Sequence, residues 1–428
     1  MPPEVISVVV PTRDRHQIIT RLLRILSDQF RPGCEFEVVV ADDGSTDRTP
    51  ELIEEQRWPF PLRVVRQNNA GAATARNAGA RAASGDVLLF LDDDVEPEDG
   101  LIGAHAGAHA GARDLVALGD LPPIVSGRSF MGVMLRTWWG SMQEAVRRPG
   151  HRYGYRDLLS GHFSIRRSDL ERLGGFDRQL RCREDYELGY RAIASGFEFR
   201  HLPDAVARHH DTTDVEKAIR RKFDEGLADV QIVQRHPALA PSLPLGRGPA
   251  HRGLQGRMMR LGWRDPRAGE RATRAMRSAL PSLERMRLRR RWRSFLNGLL
   301  TYWYWRGVAL AIGSRQNLEA LLATAPAPAP PLTVDLAHGI TAAEDRLDTH
   351  APRAALLVYG TAPIGTIPDE PGAEPLGGRH LRPLLATVFR WPYLRAVCAD
   401  GAIPPPLVVP AAALAVRESA RERGAALA

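Results

Sequence analysis

Three adjacent aspartates follow an uninterrupted apolar run, and their position suggests metal chemistry. Asp92, Asp93 and Asp94 come directly after Val87–Leu91. Neighbouring carboxylates at the end of a strand repel one another, so selection for folding alone would avoid them. A divalent cation such as Mg²⁺ or Mn²⁺ would remove that repulsion, because hard cations bind carboxylate and phosphate oxygens together. The triplet therefore predicts a cation site that bridges a diphosphate, with a solvated acidic turn as the alternative.

Further polar groups lie in comparable places along the chain. Asp43 follows an apolar run, and its carboxylate can accept a hydrogen bond from a nucleobase. Arg76 lies among small residues whose backbone amides, together with the guanidinium, can bind phosphate. Glu184 and Asp185 open a helical pattern later in the chain. Each of these alone is typical of an ordinary turn or helix start.

The elements that must position these groups alternate between strands and helices. Apolar runs at Val5–Val10, Phe36–Ala41, Leu62–Val65 and Val87–Leu91 predict four strands separated by helices. Strands of this apolar kind, joined by helices, indicate a parallel sheet covered on both faces. Ligands of such sheets bind at the carboxyl ends of the strands, which is where the acidic residues collect.

In this order and spacing, the motifs resemble those of the family-2 glycosyltransferases. The matching stretches within residues 5–210 are VVVPTRDR, VVVADDGSTD, NNAGAATARNAG, GDVLLFLDDDV, LGGFD and REDYELGYRAIASG. The resemblance implies a GT-A fold, an α/β structure whose mostly parallel sheet is flanked by helices. It also implies inverting transfer of a sugar from a nucleotide-diphosphate sugar, with a UDP-sugar as the expected donor. Processive members carry a QxxRW motif, and the nearest match here, Leu288–Trp292, lacks the Gln, which favours non-processive transfer. The expected acceptor is a hydroxyl of a saccharide or of a lipid-linked molecule.

The resemblance implies a role for each matching residue. Asp43 is expected at the nucleobase, Arg76 at the diphosphate and Asp185 as the catalytic base. By role, the implied residues are Pro11, Arg13, Asp43, Arg76, Asp92 and Asp93 for the nucleotide sugar, Asp94 and His209 for the metal, Asp185 for catalysis, and Gly161 and Glu184 on the acceptor side. His210 adjoins His209, so a surface histidine remains the alternative for that position.

Two other functions are alternatives to sugar transfer. A sugar-nucleotide nucleotidyltransferase usually carries a Gly-rich loop after its first strand, and Pro11–Arg15 contains no glycine. A non-catalytic protein with the same fold would not need Asp92, Asp94 and Asp185 intact. No recognised nucleic-acid module accompanies the basic residues, so nucleic acid is not an expected partner.

The net charge of +8 is concentrated in one segment of the chain. Residues 235–293 contain 16 arginines and three acids, followed by the aromatic and apolar run Trp292–Ile312. A local basic patch predicts an anionic partner such as a membrane surface, and a solvated arginine-rich face is the alternative. The aromatic run predicts either a helix in a membrane interface or one packed on the protein.

Composition also predicts the domain organisation. The expected parts are a GT-A catalytic domain at 1–235, an arginine-rich helical extension at 236–324, a Pro-rich linker at 325–331 and a separable α/β module at 332–428. Three scattered cysteines and an N-terminus without signal-peptide features predict a cytoplasmic protein, or one peripheral on the inner face of the membrane. The repeat GAHAGAHAGAR, with His105 and His109, predicts a low-complexity helix.

Overall fold

The computed structural model describes residues 5–125, 127–246, 253–402 and 407. The chain divides into two compact units, and neither is continuous in sequence. The first unit comprises Met1–Gln143 and Tyr155–Pro326, and the second comprises Glu144–Gly154 and Ala327–Ala428. This division differs from the predicted one, because the helices after residue 235 belong to the first unit.

An eight-stranded mixed sheet forms the centre of the first unit. Its strands are β1 Ile6–Thr12, β2 Phe36–Asp42, β3 Leu62–Arg66, β4 Val87–Leu91, β5 Val95–Pro97, β6 Leu115–Asp120, β7 His162–Arg166 and β8 Glu198–His209. Their order is β3-β2-β1-β4-β7-β6-β8-β5. Strands β3, β2, β1 and β4 are parallel, β7 is antiparallel to both of its neighbours, β6 and β8 are parallel, and β5 is antiparallel to β8. The predicted α/β architecture with a mostly parallel sheet is confirmed.

Helices cover this sheet and extend the first unit. They are α1 His16–Gln29, α2 Thr49–Glu54, α3 Ala72–Ala82, α4 Leu101–His109, α5 Phe130–Val146, α6 Arg167–Arg172, α7 Glu184–Ala194, α8 Val215–Arg235, α9 Gly253–Arg264, α10 Pro266–Arg285, α11 Arg289–Ile312 and α12 Arg315–Leu322. Helix α3 lies close to the sheet, since a Cβ on Gly79 would stand 2.5 Å from Cγ1 of Val9. This packing brings the first turn of α3 to the edge where β1, β2 and β4 end.

The aromatic run of α11 belongs to the protein core. Trp292, Tyr302, Tyr304 and Trp305 are all buried. The backbones of α8 and α11 meet closely, because a Cβ on Gly307 would overlap the backbone of α8. The membrane-interface alternative for these aromatics was therefore wrong, and the packing alternative is correct. Within the described ranges, no helix combines the length and apolarity needed to cross a membrane.

Both histidines of the Ala/Gly repeat point into the core of the first unit. His105 and His109 on α4 are fully buried, and each forms a hydrogen bond with the Ser164 hydroxyl on β7, at 2.7 and 2.8 Å. The second ring nitrogen of His105 lies 3.0 Å from His162. Burial lowers the pKa of His109 and of His162 to about 4, so these rings are neutral hydrogen-bonding groups at physiological pH.

The second unit is a small α/β fold. Its strands are β9 Leu332–Asp335, β10 Ala355–Tyr359 and β11 Ala362–Ile367, and its helices are α13 Ile340–His350, α14 Leu381–Ala386 and α15 Arg390–Ala399. Strand β10 lies in the centre, parallel to β9 and antiparallel to β11. The predicted C-terminal α/β module is present, but it is not formed by residues 332–428 alone.

Residues 144–154 complete the second unit. The Arg152 guanidinium donates hydrogen bonds to three backbone carbonyls, those of Glu374 at 2.6 Å, Pro368 at 3.2 Å and Arg353 at 3.0 Å. The backbone of Tyr153 exchanges hydrogen bonds with Glu374, at 3.0 Å to the carboxylate and 2.8 Å from the amide. A chain ending near residue 323 would leave these groups without partners, which argues against the expected separability.

We predict that Arg152→Ala destabilises the second unit by about 2–4 kcal/mol, because three carbonyls lose a charged donor. Amide hydrogen exchange in β10 and β11 measures this locally. Arg148→Ala is the control, since Arg148 contacts only the exposed Glu144 carboxylate, at 3.4 Å, and should change stability by less than about 0.5 kcal/mol. Equal exchange rates in the two variants would mean that Arg152 does not hold the unit together.

Candidate active site

The loops after β1 and β2 are joined by the carboxylate of Asp14. Its Oδ1 accepts hydrogen bonds from the backbone amides of Thr46 at 2.6 Å and Asp47 at 3.2 Å. These bonds lower the pKa of Asp14, with the amide of Thr46 as the main cause. Pro11 lies half-buried at the end of β1, and the Arg13 side chain is exposed beside this junction.

Asp43 holds the loop that leads into α3. One carboxylate oxygen accepts from the Gln67 amide at 2.7 Å and from the backbone of Ala70 at 2.8 Å, and the other accepts from the backbone of Gly71 at 2.9 Å. Gly44 is needed beside it, because φ is +73° and a Cβ would stand 2.6 Å from the backbone nitrogen of Asn69. Asp43 thus shapes the entrance to α3, and its contact with a nucleobase stays a prediction.

Arg76 connects two acidic motifs that are distant in sequence. Its side chain is buried, and its guanidinium donates to Asp92 at 2.7 Å and to Glu184 at 2.8 Å. Its Nε has no hydrogen-bond partner among the described residues. Gly161 adjoins this contact, since a Cβ there would lie 2.9 Å from Oδ2 of Asp92. The structure therefore brings together four of the residues predicted for the donor and acceptor sides.

The middle aspartate of the triplet faces the end of β1. Asp93 is buried, accepts a hydrogen bond from Thr12 Oγ1 at 2.7 Å, and pairs with Arg15 at 2.6 Å. Burial raises the pKa of Asp93 to about 6, against the opposing effect of Arg15. Asp93 is therefore bonded within the protein, and its predicted contact with the nucleotide sugar is untested.

The third aspartate meets a histidine from β8. Oδ1 of Asp94 lies 3.4 Å from Nε2 of His209, and Oδ2 lies 3.1 Å from the Arg15 guanidinium. The His209 ring packs edge-on against Trp139, with 5.1 Å between ring centroids, and Trp139 donates to Asp211 at 2.9 Å. His210 points elsewhere, to Glu96 at 2.7 Å. Between the two histidines, His209 is the one that faces the acidic triplet.

These residues suit a divalent cation by their chemistry. Asp94 and His209 offer a carboxylate oxygen and an imidazole nitrogen, and the Nδ1 atom of His209 is buried without a partner among the described residues. Within the described ranges, no three His, Cys, Asp or Glu side chains already stand at metal-binding separation. The protein would thus supply part of a coordination shell, as Mg²⁺ sites that also bind phosphate commonly do.

Asp185 lies at the start of α7, next to Glu184. Its carboxylate accepts from the backbone of Tyr186 at 2.8 Å and from the backbone of Ser160 at 3.4 Å. Burial and, after it, the Glu184 charge raise the pKa of Asp185 to about 6, while Arg76 opposes the rise. The carboxylate therefore remains ionised at neutral pH and is more basic than an ordinary aspartate.

Helix α8 and, through it, helix α11 of the predicted extension fix the start of α7. Arg183 has a left-handed backbone, with φ of 59°, and its guanidinium pairs with Asp229 at 2.5 Å and Glu225 at 2.8 Å on α8. Tyr304 of α11 donates to the other oxygen of Asp229 at 2.6 Å. The helical extension therefore supports the segment that carries Asp185.

Comparison with known protein families gives a match to part of the first unit. The family model described as Glycosyl transferase family 2 matches residues 7–174. Over these residues, which we call the family-2 domain, the chain is similar to the family-2 glycosyltransferases. The match contains the whole acidic triplet and Arg76.

Individual relatives of the family-2 domain cover only part of the chain. Validoxylamine A glucosyltransferase of Streptomyces hygroscopicus subsp. limoneus is 30% identical over 270 residues, which are 56% of this chain and 58% of that protein. Poly(ribitol-phosphate) beta-N-acetylglucosaminyltransferase TarS of Staphylococcus aureus is 42% identical over 90 residues, 21% of this chain and 16% of that protein. The chain thus spans about three fifths of the length of the first-named relative.

Solved structures with some similarity include the mannosyltransferase PcManGT from Pyrobaculum calidifontis in complex with GDP-Man and Mn²⁺. It is 21% identical, has a TM-score of 0.42, and the alignment covers 74% of this chain and 78% of that one.

Two residues of the site were missed at the sequence level. Arg15 lies two residues beyond Arg13, outside the positions that the family resemblance specified, and its ion pairs with Asp93 and Asp94 depend on the fold. Trp139 belongs to a helix with no recognised motif, and only the fold brings it against His209. The sole signal for Arg15 was its position directly after β1, where charged residues face the end of the sheet.

We predict that Arg15→Gln binds Mn²⁺ about two- to tenfold more tightly than the unchanged protein, because a partly exposed guanidinium no longer competes for Asp94. Electron paramagnetic resonance of free Mn²⁺ measures the affinity without any substrate. Arg13→Gln is the matched control and should leave the affinity unchanged. Weaker Mn²⁺ binding by Arg15→Gln would instead mean that Arg15 orients the carboxylates for the ion.

Proposed function

We propose that the protein transfers a sugar from a nucleoside-diphosphate sugar to an acceptor hydroxyl with inversion at the anomeric carbon. The observation that carries this proposal is the buried Arg76 guanidinium between Asp92 and Glu184. It links the acidic motif expected at the donor with the acidic pair that contains Asp185. The family match favours sugar transfer over the nucleotidyl-transfer alternative.

In the proposed reaction, Asp185 accepts the proton of the acceptor hydroxyl. The hydroxyl oxygen then forms a bond to the anomeric carbon, and the bond from that carbon to the diphosphate oxygen breaks. The nucleoside diphosphate leaves with the bonding electrons on the side of Arg76, whose positive charge stabilises the departing anion. Because attack and departure occur on opposite faces of the sugar, the configuration inverts.

A divalent cation, Mg²⁺ or Mn²⁺, is proposed to bind Asp94 and His209, and its charge would neutralise the diphosphate. Asp92 would face the ribose while it remains paired with Arg76. Pro11, Arg13 and Asp43 are proposed to line the nucleoside side, because the loops that carry them meet at the ends of β1 and β2.

The named relatives support a proposal for the substrate classes. Their names specify glucosyl and N-acetylglucosaminyl transfer, to validoxylamine A in one case and to poly(ribitol-phosphate) in the other. We propose a UDP-hexose as donor and a polyhydroxylated acceptor, saccharide or lipid-linked. A screen of nucleoside-diphosphate sugars for release of the nucleoside diphosphate tests the donor.

With the donor found by that screen, we predict that Asp185→Asn lowers turnover about 10²–10⁴-fold, the usual contribution of a positioned base. Donor affinity by calorimetry should stay the same, because Asn has nearly the same shape and the cation site is untouched. Glu184→Gln is the matched comparison, and donor affinity should rise in it, because a carboxylate that competes with the anionic diphosphate for Arg76 loses its charge. Unchanged turnover in Asp185→Asn would exclude its role as base, and lost donor affinity would assign it to the nucleotide site.

The pH dependence of turnover offers a separate check. Only ionised Asp185 accepts a proton, so turnover should fall about tenfold per pH unit below a pKa of about 6. The charged groups that face Asp185 are Glu184, Arg76 and Arg221, beside the Tyr186 hydroxyl. Since the Glu184 charge raises the pKa of Asp185, Glu184→Gln should move the acid limb to lower pH. An acid limb that stays at the same pH in Glu184→Gln, or one that persists in Asp185→Asn, would mean that a group other than Asp185 titrates.

A further inference from the structure

The turn between α10 and α11 carries a dense cluster of positive charge. Six arginines lie within Arg285–Arg293, a segment that we call the arginine turn, and all six are exposed. They are Arg285, Arg287, Arg289, Arg290, Arg291 and Arg293. The segment contains no acidic residue. Like charges at this spacing repel one another, so the folded protein alone does not benefit from the cluster.

Nothing in the described part of the protein neutralises these charges. None of the six guanidiniums forms an ion pair with a described carboxylate, and Arg285 makes only a 3.3 Å hydrogen bond to the Ser282 hydroxyl. The adjacent acid, Glu284, instead accepts a hydrogen bond from the backbone of Phe130 at 2.7 Å. The positive charge is therefore available to an external partner.

The turn is held in a fixed shape by the core beneath it. Trp292 is 2% exposed and packs edge-on against Phe130, with 5.5 Å between ring centroids. Arg287 has a left-handed backbone, with φ of 55°, which reverses the chain between the two helices. The arginines are thus presented on a folded scaffold.

Neighbouring helices enlarge the basic character of this region. Further exposed arginines recur at intervals of three or four residues on α9 and α10, and they too lack ion pairs with described residues. They are Arg257, Arg260 and Arg264 on α9, and Arg267, Arg271 and Arg274 on α10.

One strongly exposed apolar side chain lies inside the arginine turn. Met286 is 59% exposed and is flanked by Arg285 and Arg287. We propose that the arginine turn docks on a membrane surface that contains anionic phospholipids, with the guanidiniums at the headgroups and Met286 at the hydrocarbon boundary. Arginine suits phosphate headgroups because its fork binds phosphate oxygens in pairs, and an apolar tip within a basic rim suits the interface. This proposal is independent of the catalytic reaction.

A membrane fits the turn better than a nucleic acid does. Proteins that bind single strands add aromatic platforms on which bases stack. Trp292 within the turn is buried, and Phe295 just after it packs against the core, so neither offers a free ring face for stacking. A nucleic acid would also gain nothing from the exposed Met286.

Vesicle sedimentation with the full-length chain tests the proposal. We expect binding to phosphatidylcholine vesicles that contain phosphatidylglycerol, no binding to phosphatidylcholine alone, and loss of binding when salt rises from about 0.05 M to about 0.5 M, because screening shortens the reach of the charges. Replacing Arg289, Arg290 and Arg291 together by Gln should weaken partitioning about 10- to 100-fold. Met286→Ser should weaken it severalfold without changing its salt dependence.

A control variant loses the same number of positive charges at positions outside the arginine turn. Arg24, Arg31 and Arg57 are exposed residues of the first unit, and replacing them together by Gln should leave partitioning within about twofold, since they lie outside the turn. Equal sedimentation with neutral and anionic vesicles would overturn the proposal. An equal loss of vesicle binding in both triple variants would contradict a specific role of the arginine turn and would indicate a general charge effect. Retained vesicle binding in the Arg289/Arg290/Arg291 variant, or binding of RNA or DNA but not of vesicles, would also overturn it. Far-UV circular dichroism confirms that each variant is folded.

Discussion

A buried positive charge at Arg76 sets the requirements for the surrounding site. A guanidinium with almost no contact with water must have carboxylates beside it, because an uncompensated buried charge is strongly unfavourable. Asp92 and Glu184 meet this need from two motifs that are distant in sequence, at 2.7 and 2.8 Å. Removing either partner would leave Arg76 half-neutralised. The ends of β4, α3 and α7 are therefore held together by one charge.

The charge of Glu184, which pairs with Arg76, also affects the neighbouring Asp185. Glu184 is committed to Arg76, yet its negative charge still acts on Asp185 and, together with burial, raises the pKa of that carboxyl to about 6. The position of the pair depends on Arg183, which is tied to α8, and α8 is tied to Tyr304. Helix α11, which composition separates from the catalytic domain, thus acts through α8 on the position of the proposed base.

The sequence predicted the location of the site better than its internal contacts. Apolar strands followed by acids indicated that Asp43 and Asp92–Asp94 lie at one edge of a sheet, and they do. The sequence could not assign a partner to each aspartate of the triplet, because the three consecutive side chains at the strand end point in different directions. Asp92 pairs with Arg76, Asp93 with Thr12 and Arg15, and Asp94 with His209. The sequence also did not predict that Arg152 belongs to the second unit, because its hydrogen bonds go to backbone carbonyls, which no side-chain pattern reveals.

Helix α11 illustrates why the aromatic run was ambiguous. A helix covered by protein on most of its faces loses the apolar-polar periodicity that distinguishes core from interface. Burial of Trp292, Tyr302 and Trp305 needs partners on several sides, and α8, α9 and α10 supply them. The basic start of the same helix has no such cover, so its charges remain in water. Apolar and basic residues that are adjacent in sequence are therefore divided by the fold, the aromatics stabilising the helical layer and the arginines remaining available to an anionic surface.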